Sequence, residues 1–433
     1  MNYYSLNKNA AKVDFREATI GGQAPDKGLY FPEFIPAVAA DLIKNIGAYS
    51  KEELALEIML PYVGSTITKS DLQKIVTETI NFPFPLVPVN QSIYSLELFH
   101  GPTLAFKDVG ARFMSRCLGY FSSQQKNKVT VLVATSGDTG GAVANGFLGV
   151  EGVEVVILYP SGKVSPVQEL QLTTCGQNIK ALEVKGSFDD CQSMVKDAFM
   201  DADLNNHLTL TSANSINVAR WLPQQLYYFF AYQQWIKENE GAPVISVPSG
   251  NFGNICAGLL AHETGLPVDH FIAACNVNDS VPEYLRTGNY QSKKSVPTIS
   301  NAMDVGSPSN FIRVLELFQN NIQTIREKIS GYTVSDEITK QTISEVYKND
   351  HYLLDPHGAV AYYALAEYLK LYPNKKGMIL ETAHPVKFPE TVEEVIKKTI
   401  EIPDAVKPLF SKEKKAELIS PNFSALKNWL LSQ

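Results

Sequence analysis

The sequence predicts an α/β fold: two parallel-rich sheets flanked by helices, with a helical N-terminal domain in front. Three observations predict it. Short apolar runs of strand length alternate with helical periodicity in two separate blocks. Each block carries a glycine-rich loop between a strand and the following helix. The chain is 433 residues long, 45% hydrophobic and 19% charged, which is room for more than one buried core.

Residues 1–90 are expected to form the helical domain. Ser50 and Glu53 make a capping box before the apolar run LALEIML, and Ser70 can cap DLQKIVTETI. The Pro-rich stretch 81–90, NFPFPLVPVN, reads as a linker. The first block then opens. VTVLVA (129–134) is a strand, TSGDTGG (135–141) a tight loop, AVANGFLGV a helix and VEVVILY (153–159) a second strand. NIKALEV (178–184) adds a third, and Ser187 with Asp190 caps the helix after it. In the second block PVISVP (243–248) is a strand, SGNFGN (249–254) a glycine loop, ICAGLLAHE a helix and DHFIAACN (269–276) a strand. GMILE (377–381) is a further strand and PETVEEVIKKTI (389–400) an amphipathic helix. The expected division is a small α/β domain at 129–209 and a large one built from 91–128 and 210–433.

Bulk properties exclude several classes. A net charge of −7 gives no general attraction to nucleic acid or anionic membranes, so an anionic ligand needs a local basic site. Cys117, Cys175, Cys191, Cys256 and Cys275 lie singly in apolar surroundings, without metal-ligand spacing. They read as buried thiols in a reducing compartment, and no metal site is expected. The first residues lack a signal-peptide core, and no run is apolar for ~18 residues, so a cytoplasmic location is expected.

Five segments can carry chemistry. In HGPTLAFKDVGARFM (100–114) an amphipathic helix starts at or just after Lys107, with apolar residues before it. A desolvated lysine loses its proton easily and becomes a nucleophile, although a solvated lysine paired with Asp108 fits the same residues. In SGNFGN, Gly250 and Gly253 permit positive φ and close approach, so N–H groups at the helix start can cradle a phosphate; a plain turn is the alternative. In TSGDTGG, Thr135, Ser136 and Thr139 can hold a carboxylate, or the loop is simply a turn. In TSANSINVARW (211–221), Asn214, Ser215, Asn217 and Arg220 can converge on one anion, or form a cap and a surface arginine. In LETAHPVKF (380–388), Thr382 ends a strand where its hydroxyl can meet a ring nitrogen. No P-loop or dinucleotide fingerprint is present.

Taken together and in order, these segments resemble the pyridoxal-phosphate enzymes of the tryptophan synthase β fold, or fold type II. Within it they resemble the threonine synthase family. The family's lysine motif, H-G-P-T-x-x-F-K-D, matches His100 to Asp108, and its phosphate cup, S-G-N-F-G, matches Ser249 to Gly253. GLYFPE (28–33), GSFDDCQSMVKDAF (186–199) and TSANSINVARWLPQQ (211–225) are also similar to that family. Asp138 stands where sulfhydrylase relatives carry asparagine. The resemblance spans about residues 14 to 388.

The resemblance implies pyridoxal 5′-phosphate as cofactor, held by Lys107 as a Schiff base. It implies a reaction of O-phospho-L-homoserine and water that yields L-threonine and phosphate, with Lys107 as proton shuttle. Gly250, Asn251, Phe252, Gly253 and Asn254 would line the cofactor phosphate, Thr382 would face the pyridine nitrogen, and Asp138 would lie near the phenolic oxygen. Thr135, Ser136 and Thr139 would hold the substrate carboxylate. Asn214, Ser215, Asn217 and Arg220 would hold the leaving phosphate, with Lys163 of the PSGK turn next in line. A monomer or homodimer is expected, without nucleic-acid or membrane partners. The N-terminal stretch of plant forms regulated by S-adenosylmethionine is absent, so such regulation is not expected. The alternatives are a threonine or serine dehydratase-like lyase and a non-catalytic phosphate-binding member of the fold.

Overall fold

A computed structural model describes residues 1–123 and 128–433. Two parallel-rich sheets form its frame. The first has five strands in the order Glu417–Ile419, Ile179–Val184, Val153–Pro160, Val129–Ala134, Thr209–Ser212, all parallel. The second has six, in the order Ile329–Thr333, His270–Cys275, Val244–Pro248, Gly377–Glu381, Ile93–Glu97, Leu86–Pro88. Only the last pair is antiparallel. Every residue of Val129–Ala134, Val244–Pro248 and Gly377–Glu381 is buried, as strands covered on both faces require.

Local signals account for most boundaries. Ser50–Glu53 and Ser187–Asp190 form reciprocal capping boxes on Lys51–Val63 and Phe188–Met200. The helix Lys69–Thr79 is capped by Thr68, two residues earlier than the expected Ser70, because Thr68 Oγ1 accepts from the Asp71 N–H. The five cysteines are free, and all but Cys175 are fully buried.

Residues 1–90 carry the expected helices and also a small sheet, in which Asn2–Ser5 pairs antiparallel with Val13–Asp14 and with Tyr30–Pro32. Two expectations need correction. The stretch 81–90 is not only a linker, since Leu86–Pro88 adds an edge strand to the six-stranded sheet, where Pro88 needs no ladder N–H on the open side. The expected division assigned 210–433 to the larger unit. Thr209–Ser212 and Glu417–Ile419 instead lie on the two edges of the five-stranded sheet. The helix Phe423–Leu431 follows and packs on Phe188–Met200.

Helices cover both sheets. Pro356–Leu371 lies on the three central strands of the larger sheet, and Lys107–Ser122 packs against Asp138–Phe147. Among the described residues no helix is long and apolar enough to cross a membrane.

Leu426 is completely buried in the apolar cluster formed with Leu182, Val184, Met194 and Ala198. Leu426→Ala should therefore destabilise the five-stranded sheet by about 2–4 kcal/mol, seen as a lower urea midpoint by circular dichroism. A superimposable curve would mean that the C-terminal helix contributes nothing to that sheet.

Candidate active site

Lys107 is the first residue of its helix, and its position is set from the neighbouring strand end. The Leu98 N–H donates to the Glu381 carbonyl (2.9 Å), Phe106 N–H to the Thr382 carbonyl (2.9 Å) and His384 N–H to the Leu104 carbonyl (3.1 Å). Leu104 adopts φ +57°, a left-handed turn imposed on a residue with a side chain. The lysine is thereby clamped beside Thr382. Asp108 is not its partner, because both carboxylate oxygens are taken by Thr103, from N–H (2.9 Å) and Oγ1 (2.5 Å). Burial lowers the Lys107 pKa; Asp138 opposes that shift, while Lys387 and Arg220 reinforce it. The reactive free amine is favoured.

The loop after Val129–Ala134 turns at Gly137, with φ +141°. Thr135 shapes it: its Oγ1 accepts from the N–H groups of Gly137 (3.0 Å) and Gly140 (2.9 Å). That buried side chain braces the loop, and with both acceptor positions used its O–H is left to donate. Ser136 and Thr139 are only half-buried. Their hydroxyls make no hydrogen bond among the described residues and remain available as donors. Asp138 is buried and accepts from Lys387 Nζ (2.5 Å) and Gln168 Nε2 (2.8 Å). Burial alone would raise its carboxyl, but the charges of Lys387 and Lys107 and these two bonds hold it well below the ordinary range. Lys387 is fully buried and also donates to the Thr103 carbonyl (2.9 Å).

The loop Ser249–Asn254 leads into the helix Gly253–Glu263. Its left-handed residue is Phe252, at φ +61°, not Gly250 or Gly253. The glycines serve close approach instead. A Cβ on Gly250 would stand 2.6 Å from Met303 Cα, and one on Gly253 would stand 3.3 Å from Ser215 Cβ. Asn251 ties the cup to its neighbours, donating to Ser215 Oγ (3.0 Å) and accepting from Ser309 N–H (2.6 Å). Asn254 is buried and accepts twice from the Tyr228 hydroxyl (2.9 Å each), yet its Nδ2 has no partner among the described residues.

In the segment 213–220, Arg220 is buried, with Nη1 donating to the Ala213 carbonyl and Nε unpartnered among the described residues. Burial brings its pKa down to about 10, with Tyr227 and Asp108 opposing. A Cβ on Gly110 would come within 2.7 Å of the Arg220 carbonyl, so the lysine helix packs directly on this segment. Asn217 does not fit the expected anion role. Its Oδ1 caps the short helix at Ala219 N–H (2.9 Å), and its Nδ2 donates to the carbonyls of Thr19 (2.9 Å) and Ser212 (3.3 Å). Asn214 is half-buried, and its side chain makes no hydrogen bond among the described residues. Lys163 is exposed.

The sequence reading did not single out Lys387, Gln168 or Arg313. Lys387, a lone cation between Val386 and Phe388 in an apolar stretch, carried a usable signal. Gln168 and Arg313 sit in ordinary helical patterns and carried none.

These residues suit pyridoxal phosphate. The unpartnered Asn254 amide at a helix start matches a phosphate. The lysine, its pKa lowered by burial, matches an aldehyde. Comparison with known proteins agrees. A pyridoxal-phosphate dependent enzyme model matches residues 78–380, a threonine synthase N terminus model 2–80, and a threonine synthase C-terminal model 358–429. Threonine synthase of Haemophilus influenzae is 43% identical over the whole of both chains. The crystal structure of threonine synthase from Escherichia coli superposes with a TM-score of 0.93 at 42% identity, covering 100% of both chains. The pyridoxal-phosphate-bound threonine synthase of Brucella melitensis gives 0.94 at 34% identity, covering 99% of this chain and 98% of that one. The chain belongs to the threonine synthase family of pyridoxal-phosphate enzymes.

Proposed function

We propose that this protein converts O-phospho-L-homoserine and water into L-threonine and inorganic phosphate, with Lys107 carrying the cofactor and moving the protons. The observation that supports this most is the Lys107 amine, clamped next to Thr382 and pushed toward its free-base form by burial. Bound pyridoxal phosphate supplies the electron sink that makes the substrate's α and β C–H bonds acidic. In the net reaction the Cγ–O bond breaks and phosphate leaves with the bonding pair. A Cβ–H bond breaks and hydroxide from water ends on Cβ; of the two protons set free, one ends on Cγ and the other on the departing phosphate.

Lys107 Nζ takes and returns protons at Cα and Cβ. Gly250, Asn251, Phe252, Gly253 and Asn254 enclose the cofactor phosphate, with the N–H groups of the helix start as donors. Thr382 Oγ1 would meet the ring nitrogen. Asp138, kept ionised by Lys387, would lie on the phenolic side. Thr135, Ser136 and Thr139 donate to the substrate carboxylate. Arg220, Asn214 and Ser215 hold the leaving phosphate.

Lys107→Ala should abolish turnover, and borohydride reduction of wild-type holoenzyme followed by peptide mapping should label Lys107; a label on another lysine would end the proposal. Arg220→Ala should lower kcat/KM by roughly 10²–10³ while cofactor absorbance persists. Normal turnover by that variant would move the leaving-phosphate site elsewhere.

The charge environment of Lys107 also predicts a pH effect. Lys387→Met removes a positive neighbour and leaves Asp138 behind, and both changes favour the ammonium form of Lys107. Capture of pyridoxal phosphate by cofactor-free protein needs the free amine. Its rate, followed by absorbance, should therefore plateau at higher pH in the variant than in wild type. An unchanged profile would separate Lys387 from the amine.

A further inference from the structure

Arg313, in the helix Phe311–Leu317, is fully buried. Its hydrogen bonds go to three segments far apart in the chain. Nη1 donates to the Ser215 carbonyl (3.1 Å) and to Asn310 Oδ1 (2.6 Å). Nη2 donates to the carbonyls of Tyr30 (3.1 Å) and Ile216 (2.6 Å). The guanidinium also lies over the Trp221 ring, 4.3 Å from its centroid. Among the described residues no carboxylate pairs with it. Carbonyls and an amide take up its Nη1 and Nη2 donors, Nε has no partner among the described residues, and the unit charge is left uncancelled, which a carboxylate would not do.

The arrangement also sets one hydroxyl. Asn310, oriented by Arg313, donates from Nδ2 to Ser215 Oγ (3.0 Å) and to the Asn251 carbonyl (3.2 Å). Asn251 Nδ2 donates to the same Ser215 Oγ (3.0 Å). With both acceptor positions of Oγ used, the Ser215 O–H can only donate outward. Its backbone carbonyl is held by Arg313 as well.

We propose that Arg313 is a positioning residue for the substrate's phosphate. It pins the backbone of 215–216 to the N-terminal segment at Tyr30, and through Asn310 it makes Ser215 a dedicated anion donor. Its own uncancelled charge adds to that of Arg220 on the same loop. The inference rests on the reading of segment 213–220 as the leaving-phosphate site.

Holoenzymes of wild type, Arg313→Lys, Asn310→Leu and Arg220→Ala test it, with steady-state kinetics on O-phospho-L-homoserine and competitive inhibition by inorganic phosphate. A lysine cannot span four acceptors on two nitrogens. Arg313→Lys should raise KM and the phosphate inhibition constant together by about tenfold or more, with kcat within about threefold and cofactor absorbance retained. Asn310→Leu leaves the arginine on its carbonyls but cuts the link to Ser215, and should shift both constants in the same direction. It carries the test if Arg313→Lys does not fold. Wild-type KM and phosphate inhibition in the folded variants would overturn the inference, as would a fall in kcat with KM unmoved. If Arg220→Ala weakens phosphate binding while Arg313→Lys and Asn310→Leu do not, Arg313 alone is misassigned. If Arg220→Ala also leaves both constants unmoved, the reading of the loop fails with it.

Discussion

The Lys387 ammonium holds the two halves of the site together. It has no exposure to solvent, and it reaches Asp138 on the loop of the five-stranded sheet and the Thr103 carbonyl ahead of Lys107. A buried ammonium is costly unless it is paired and hydrogen-bonded. This one meets both conditions only while the two sheets present their loops to each other. Gln171 donates to the same Thr103 carbonyl (3.0 Å) and Gln168 to the same Asp138 oxygen (2.8 Å). The helix Pro166–Thr173 is thereby drawn into the contact. Lys107 inherits its electrostatic surroundings from this cluster.

The other cations follow a different rule. Arg220 and Arg313 are both buried and bonded to carbonyls, with pKa values brought down to about 10 by burial. In a chain of net charge −7, any attraction for an anionic substrate must be local. Among the described residues neither guanidinium has a carboxylate partner, so both keep an uncancelled charge whose desolvation cost the fold bears.

Backbone geometry is used with similar economy. Phe252 and Leu104 take left-handed conformations where a glycine would be easier, so the surrounding packing overrides local preference at the cofactor cup and ahead of the lysine. Gly250 and Gly253 keep ordinary φ values and are needed for clearance. The spacing of glycines alone cannot separate those two uses, because both read as small residues between a strand and a helix.

What the sequence by itself determined follows from local physics. Period-two and continuous apolar runs located the strands of both central blocks, and Ser50 and Ser187 located helix starts through bonds that close within three residues. The lysine at a helix start, the two glycine loops and Thr382 at a strand end were legible for the same reason, and with them the family. Tertiary structure decided what depends on residues far apart in the chain. Asn217 turned inward, its amide claimed by the Thr19 carbonyl nearly two hundred residues away. The strand Glu417–Ile419 joined a sheet begun more than two hundred residues earlier. Lys387 and Arg313 became central only when folding closed those separations and removed the water. A buried charge has its meaning from its partners, and its partners are not its neighbours in sequence.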